Sequence, residues 1–437
     1  MNLTTLRQVW KTPDLRRRVL VVLGLIVIFR FLAHVPVPVP DNAALSNFLT
    51  TIFNSNKLLG VADLFSGGAL TNFSIVMMGV GPYINASIIT QLLTQVIPKM
   101  EALSKEGEMG RRRINQITRW LTLPLALVQS IAMVILVQKT SIQVAGTDLI
   151  GQPNLFQWLL MVSAITAGSM LLMWIGEIIT EKGVGNGISL IIACGIVARL
   201  PSSLGQIGSL ASGDTAKLIT LGFYAVASLA VIAFVVMLNE GARNIPVSYA
   251  KRTRGTKIYA GVDTHMPIRV ITAGVIPIIF ALAFLSVPAI LGQLLSGART
   301  PWVAAFAKQL TIIFSQNSWV YAVSYFVLVI GCTYLYTSVI FRPKEISENL
   351  QKNGGFIPGI RPGTQTESYL GKVINRITLA GAIGLGLIAV LPFIVQTFTK
   401  SQVLTIGGTG LLIVVSVALE TLKQVEAQAV TASYEQY

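Results

Sequence analysis

Charge is what this sequence has least of. Only 12% of its 437 residues are Asp, Glu, Lys or Arg, about half the share of a soluble domain, so the chain has little surface to present to water. Histidine and cysteine are scarcer still, at two each. His34 and His265 stand far apart in sequence, which argues against a histidine-based catalytic site. Cys194 and Cys332 lie inside apolar runs and read as small core residues, so neither a disulfide framework nor a metal site is indicated. Acid is missing where a driven transporter needs it. Proton- and ion-coupled carriers place Asp, Glu or His within the membrane, whereas Glu177, Glu240 and Glu420 stand at the ends of apolar runs and Asp63 falls in a connection. A nucleotide site is equally absent. Gly183-Val184-Gly185-Asn186-Gly187 is glycine-rich, but no strand precedes it and no acid follows at the expected distance. It reads as a tight turn into a helix with Asn186 as N-cap.

What is present is apolar length. Hydrophobic residues make up 53% of the chain, and mean hydropathy is +0.69. Spanning the hydrocarbon core takes about 20 mostly apolar residues. Ten runs qualify, at 19–38, 74–97, 118–138, 155–178, 186–207, 217–238, 270–292, 319–341, 376–398 and 403–422. The fifth is the weakest, because Arg199 and Pro201 interrupt it. The first follows Arg16-Arg17-Arg18 like a signal peptide, yet reads through to Val35-Pro36-Val37-Pro38 without a small-residue cleavage site, so it is taken as a retained span.

The net charge of +15 is unevenly placed. With the N-terminus in the cytoplasm, most of the 33 Lys and Arg fall in cytoplasmic segments, and Arg30 lies within a span. The positive-inside rule selects this orientation and returns the C-terminus to the cytoplasm. Two halves are expected, 1–207 and 208–437, each of five spans. In each, the second span carries a proline read as mid-helix, Pro82 and Pro277, a faint sign of inverted repeats. Segment 39–73 is a long polar outer connection. Its last part, Asp63-Leu64-Phe65-Ser66-Gly67-Gly68-Ala69-Leu70, is too short to span. The cytoplasmic loops 239–269 and 342–372 carry more basic charge than orientation requires, and the Gly- and Pro-rich centre of the second predicts a shaped loop.

These residues resemble the SecY family, the central channel subunit of the bacterial Sec translocon. The motifs that carry the likeness are Phe65-Ser66-Gly67-Gly68-Ala69-Leu70, Gly81-Pro82-Tyr83-Ile84-Asn85-Ala86-Ser87-Ile88-Ile89, Glu106-Gly107-Glu108-Met109-Gly110-Arg111-Arg112, Gly185-Asn186-Gly187-Ile188-Ser189, Ala273-Gly274-Val275-Ile276-Pro277 and Pro358-Gly359-Ile360-Arg361-Pro362-Gly363. The resemblance implies an all-α membrane protein of ten transmembrane helices in two inverted halves around a pore, in the bacterial inner membrane. The implied activity is passing unfolded secretory polypeptides across the membrane and releasing apolar segments sideways into lipid, without enzymatic chemistry or cofactors.

Carried over residue by residue, the resemblance implies a pore ring of Val80, Ile84, Ile188, Ile192, Ile279 and Ile413. Such an apolar collar dewets and blocks ions yet deforms around a passing chain. It implies a plug at 63–73, comprising Asp63, Leu64, Phe65, Ser66, Gly67, Gly68, Ala69 and Leu70. It implies a lateral gate between the second and seventh spans, with Asn85, Ile88, Gln129 and Val287. It implies ribosome and motor docking through Arg361 and through Arg252, Arg254 and Lys257. In that first loop Gly255 is followed by Thr256, so Arg254 and Lys257 both stand as candidates. Ile271 departs from the family, where many members carry asparagine. The implied partners are small membrane subunits of the SecE and SecG type, the SecA ATPase motor, the ribosome, signal-bearing polypeptides and membrane lipids, with no direct sequence-specific nucleic acid binding. The competing reading is a passive small-solute facilitator on the same ten-span plan.

Overall fold

The structure, a computed structural model, describes residues 12–39, 42–55, 63, 66–145, 153–211, 215–249, 252–254, 257–259, 263–271, 274–295, 300–314, 318–399 and 405–434. Each of the ten apolar runs overlaps a helix, with different bounds. Helix α1 is Pro13–Leu32, opened by a proline at its first turn with Asp14 beside it, both favourable at a helix N-terminus. The proline-rich exit Val35–Pro38 cannot continue the helix. It turns back and pairs with the stretch before the second span: the Val37 N–H donates to the Phe73 carbonyl at 2.9 Å, and the Ile75 N–H to the Val35 carbonyl at 3.1 Å.

The connection read as polar contains a helix with a buried apolar face, α2 (Asn42–Ser55). Its Leu45 and Leu49 enter a cluster with Val37, Leu70, Phe73, Met77, Val134, Val137, Met161 and Ile165. Residues 66–80 form successive turns, so the second run is helical only from Gly81, as α3 (Gly81–Val96). Then come α4 (Pro98–Lys105), the long α5 (Glu108–Ala145), α6 (Leu155–Lys182) and α7 (Gly187–Ala211). Helix α7 passes unbroken through Pro201 and beyond residue 207. Arg199 is therefore a residue of a membrane helix, where the sequence reading had it as an interruption.

The second half begins with α8 (Thr215–Glu240). Strands β1 (Ala242–Tyr249), β2 (Arg252–Arg254), β3 (Lys257–Tyr259) and β4 (Asp263–Arg269) fall in the basic loop 239–269. Helices α9 (Ile276–Leu295), α10 (Pro301–Ile313), α11 (Trp319–Ile340) and α12 (Pro343–Lys352) follow. After the two-residue β5 (Gly355–Phe356) come α13 (Thr364–Thr399) and α14 (Thr405–Tyr434). The loop at 342–372 is thus largely helical at its flanks, and its shaped part is 353–363.

Pro82 and Pro277 do not lie mid-helix, as the sequence reading had them. Each occupies the first turn of its helix, α3 or α9, where a missing N–H costs nothing. Each stands three residues after a glycine of positive φ, 58° at Gly79 and 60° at Gly274. Val80 and Val275 then offer carbonyls to the first helical N–H groups, with Ile84 N–H to Val80 at 3.0 Å and Ile279 N–H to Val275 at 3.3 Å. The shared Gly-Val-x-Pro entry is a firmer trace of internal repetition than the prolines alone.

Among the described residues, Glu108–Ile142, Leu155–Lys182, Trp319–Lys352 and Thr364–Leu391 are helical stretches long and apolar enough to cross a membrane. Gly187–Pro201, Ser228–Glu240 and Ile276–Leu285 are shorter apolar helices. Their outward faces stay apolar: Trp120, Leu155 and Trp319 are 78%, 78% and 74% exposed. Water would penalise such a surface; lipid, with aromatic residues near its boundary, accepts it.

Candidate functional site

The largest apolar cluster joins both halves. It contains Val80, Ile192 and Ile413, which are buried, with Ile84, Ile188 and Ile279 packed against it half-buried. All six ring candidates therefore belong to this one cluster, delivered by the turn before α3 and by α3, α7, α9 and α14. Ile271 and Val275 join the same cluster, so the isoleucine at a position often held by asparagine extends the apolar contact.

Local chemistry sets these positions. Asn186 caps α7, its Oδ1 accepting the N–H groups of Ile188 at 3.1 Å and Ser189 at 3.4 Å, as the sequence suggested. Gly187 lies against α6 so closely that a Cβ would come within 2.0 Å of the Gly176 carbonyl oxygen. That contact holds Ile188 and Ile192 against the fourth span. Nearby, Arg119 of α5 pairs with Glu177 of α6 at 2.7 Å.

Of segment 63–73, the described residues 66–73 reach both this cluster and the second one. Ala69 belongs to the first and Leu70 to the second; Leu64 and Phe65 lie outside the described residues. Asp63, read from sequence as a residue of an outer connection, has no exposed surface. Its carboxylate accepts the Thr71 N–H at 2.9 Å and the Thr71 hydroxyl at 2.6 Å, and it forms an ion pair with Arg199 of α7. The Ser66 hydroxyl donates to the Asp63 carbonyl at 3.0 Å. Gly67 and Gly68, at φ 68° and 87°, make the turn that only glycine adopts freely. Arg30 of α1 donates to the Gly67 carbonyl at 2.7 Å, and a Cβ on Gly67 would come within 2.8 Å of the Gly195 backbone of α7.

The sequence placed Arg30 within a span, read Arg199 only as an interruption of one, and assigned Asp63 to the plug without a partner. The signal was there: a cation in an apolar run needs a buried partner.

Among the gate candidates, Ile88 is buried and Asn85 and Gln129 are half-buried. Among the described residues no hydrogen bond joins the two polar gate candidates, Asn85 and Gln129. The side chain of Val287 lies outside the described residues. Helix α9 touches α3 and α5 only sparsely, whereas α11 and α13 lie along one another.

The docking candidates fall on two loops that one sheet joins. β1 pairs antiparallel with β4 from Ala242↔Arg269 to Ser248↔Asp263, and with β5 at Ser248↔Phe356 and Tyr249↔Gly355. The order β4-β1-β5 thus joins the two loops. Ile245, Ile268, Ile357, Leu370, Val373 and Ile374 form a cluster beneath. Arg361 is exposed on the adjoining turn. That turn is fixed by Ser347 donating to the Gly363 carbonyl at 2.7 Å and Thr366 donating to the Arg361 carbonyl at 2.9 Å. Arg252, Arg254 and Lys257 lie on the β2–β3 hairpin; their side chains are outside the described residues.

Comparison with known proteins gives the same family throughout. The family model for SecY matches residues 74–422. The protein translocase subunit SecY of Streptomyces galbus is 40% identical over 440 residues, covering 99% of each chain. That of Corynebacterium glutamicum is 41% identical over 437 residues, covering 98% of each. A solved structure described as that of a protein-conducting channel matches 95% of this chain and 92% of its own at TM-score 0.63 and 18% identity, which speaks to the fold. A family match over residues 74–422, with relatives about 40% identical from end to end, makes this chain a member of the SecY family.

Proposed function

We propose that this chain is the channel subunit that passes unfolded secretory polypeptides across the cytoplasmic membrane and releases apolar segments sideways into lipid. The observation that carries the reading is that six aliphatic side chains, one from the turn before α3 and five from four helices, belong to one apolar cluster. A narrow apolar collar excludes ions by dewetting yet yields around a chain. Segment 63–73, lodged beside that cluster, acts as the plug. The sparse α3–α9 contact acts as the lateral gate, with Asn85 and Ile88 on its face. Both termini lie in the cytoplasm, the side on which the basic loops belong by the positive-inside rule.

No nucleotide motif is present in the sequence, so the driving force comes from partners. The joined loops carrying Arg361, Arg252, Arg254 and Lys257 suit an acidic or RNA-rich docking surface such as a ribosome or an ATPase motor. Small membrane subunits of the SecE and SecG type complete the assembly. No catalytic step is assigned to the chain.

The test is crosslinking from a photoreactive side chain at position 84 or 279 to a stalled translocating polypeptide. Adducts at both positions, and none from lipid-facing Val128, are the expected result. A pore that admits small solutes but yields no adduct would replace this reading with that of a small-solute facilitator.

A further inference from the structure

Two cations from two membrane helices converge on Asp63, Gly67 and Thr71. Arg199 of α7 pairs with the fully buried carboxylate of Asp63, and the same guanidinium donates to the Thr71 hydroxyl. Arg30 of α1 holds the Gly67 carbonyl at 2.7 Å. Thr71 closes the ring by donating twice to Asp63. The turn at 66–71 is thus fastened to α7 through Asp63 and to α1 through the Gly67 carbonyl. Gly67 lies backbone to backbone against Gly195 one helical turn before Arg199, which brings the carboxylate and guanidinium together. An ion pair withdrawn from water is worth little over apolar packing when intact, but breaking it leaves an uncompensated buried charge at high cost. That asymmetry is what a latch requires: neutral in assembly, costly to open.

We propose that Asp63 and Arg199 form an electrostatic latch that keeps the channel shut when no polypeptide is engaged, with Arg30 as a second fastening on the same turn. This rests on the channel reading above. Opening separates the carboxylate from Arg199, so the entering chain must supply the interaction free energy that offsets the separation. The latch therefore sets the threshold between idle and engaged states, independently of the apolar ring.

The test is a double-mutant cycle on ion leak. The full chain, purified as the complex in which it leaves the membrane, is placed in proteoliposomes without substrate. Asp63→Asn, Arg199→Gln and the double variant are compared with the parent, and Arg199→Lys serves as the charge-conserving control. Each single change is expected to raise leak about tenfold, as loss of 1.4 kcal/mol of closing free energy would. The double variant should leak no more than the greater single, because one interaction is removed once, and Arg199→Lys should leak less than Arg199→Gln. Parental leak in both single variants, or leaks that multiply in the double, overturns the latch. Retained crosslinking at position 84 in those same variants would leave the channel reading standing; its loss from the parent itself would remove that reading instead.

Discussion

Gly187 is a residue for which the structure leaves no alternative. A Cβ there would come within 2.0 Å of a backbone oxygen and 2.8 Å of Ile179, whereas a Cβ on Gly331 of α11 would meet nothing within 4 Å. The two glycines look alike in sequence, each set in an apolar run, and should behave oppositely. Gly187→Leu forces α6 and α7 apart and is expected to lower stability by about 1–3 kcal/mol. Gly331→Ala, on an exposed helix face, should raise it by about 0.5–1 kcal/mol. Thermal unfolding in detergent, with both variants measured against the parent, checks the opposite signs. The exposed pairs are a weaker source of stability. Arg112–Glu108 at 2.7 Å, with side chains 74% and 79% exposed, belongs to the class worth under about 1 kcal/mol.

At the level of elements, the helix entries at α3 and α9 show what sequence could and could not disclose. Hydropathy marks where a chain crosses lipid because it sums a local property over about 20 residues, and every run found that way holds a helix. It does not mark where the helix begins. That depends on the positive φ at Gly79 and Gly274 and on the fit of proline to a first turn. Pro82→Ala is therefore expected to cost no more than about 1 kcal/mol. Ser87→Pro, within the same helix, should cost about 3 kcal/mol or more. Circular dichroism melts of the two variants test the assignment: equal losses would put Pro82 back in the middle of a helix. The non-local contacts were beyond sequence for a different reason. Arg199 and Thr71 are 128 positions apart, and no periodicity reports such a pairing. The burial of Asp63 and the joining of two loops through one sheet share that character, whereas the Asn186 cap is local and was legible.

For the molecule as a whole, the sheet β4-β1-β5 converts two loops into one unit. β5 holds only two residues, Gly355 and Phe356, yet its pairing with β1 and the cluster around Ile245 and Ile357 fix the turn that presents Arg361. A basic residue on a fixed turn loses little freedom when it docks, which favours affinity. Two substitutions should then reach the same outcome by different routes. Arg361→Glu reverses the exposed charge and is expected to cut partner-driven translocation at least about tenfold, the equivalent of 1.4 kcal/mol, without altering thermal stability. Ile245→Asp places a charge where the side chain is 1% exposed and should unfasten both loops together. Translocation should fall as far as in Arg361→Glu, with new protease cleavage in 242–269 and in 353–363 alike. Cleavage in the first loop alone would mean that the two loops fold independently, and the docking surface would then have to be assigned to each loop separately.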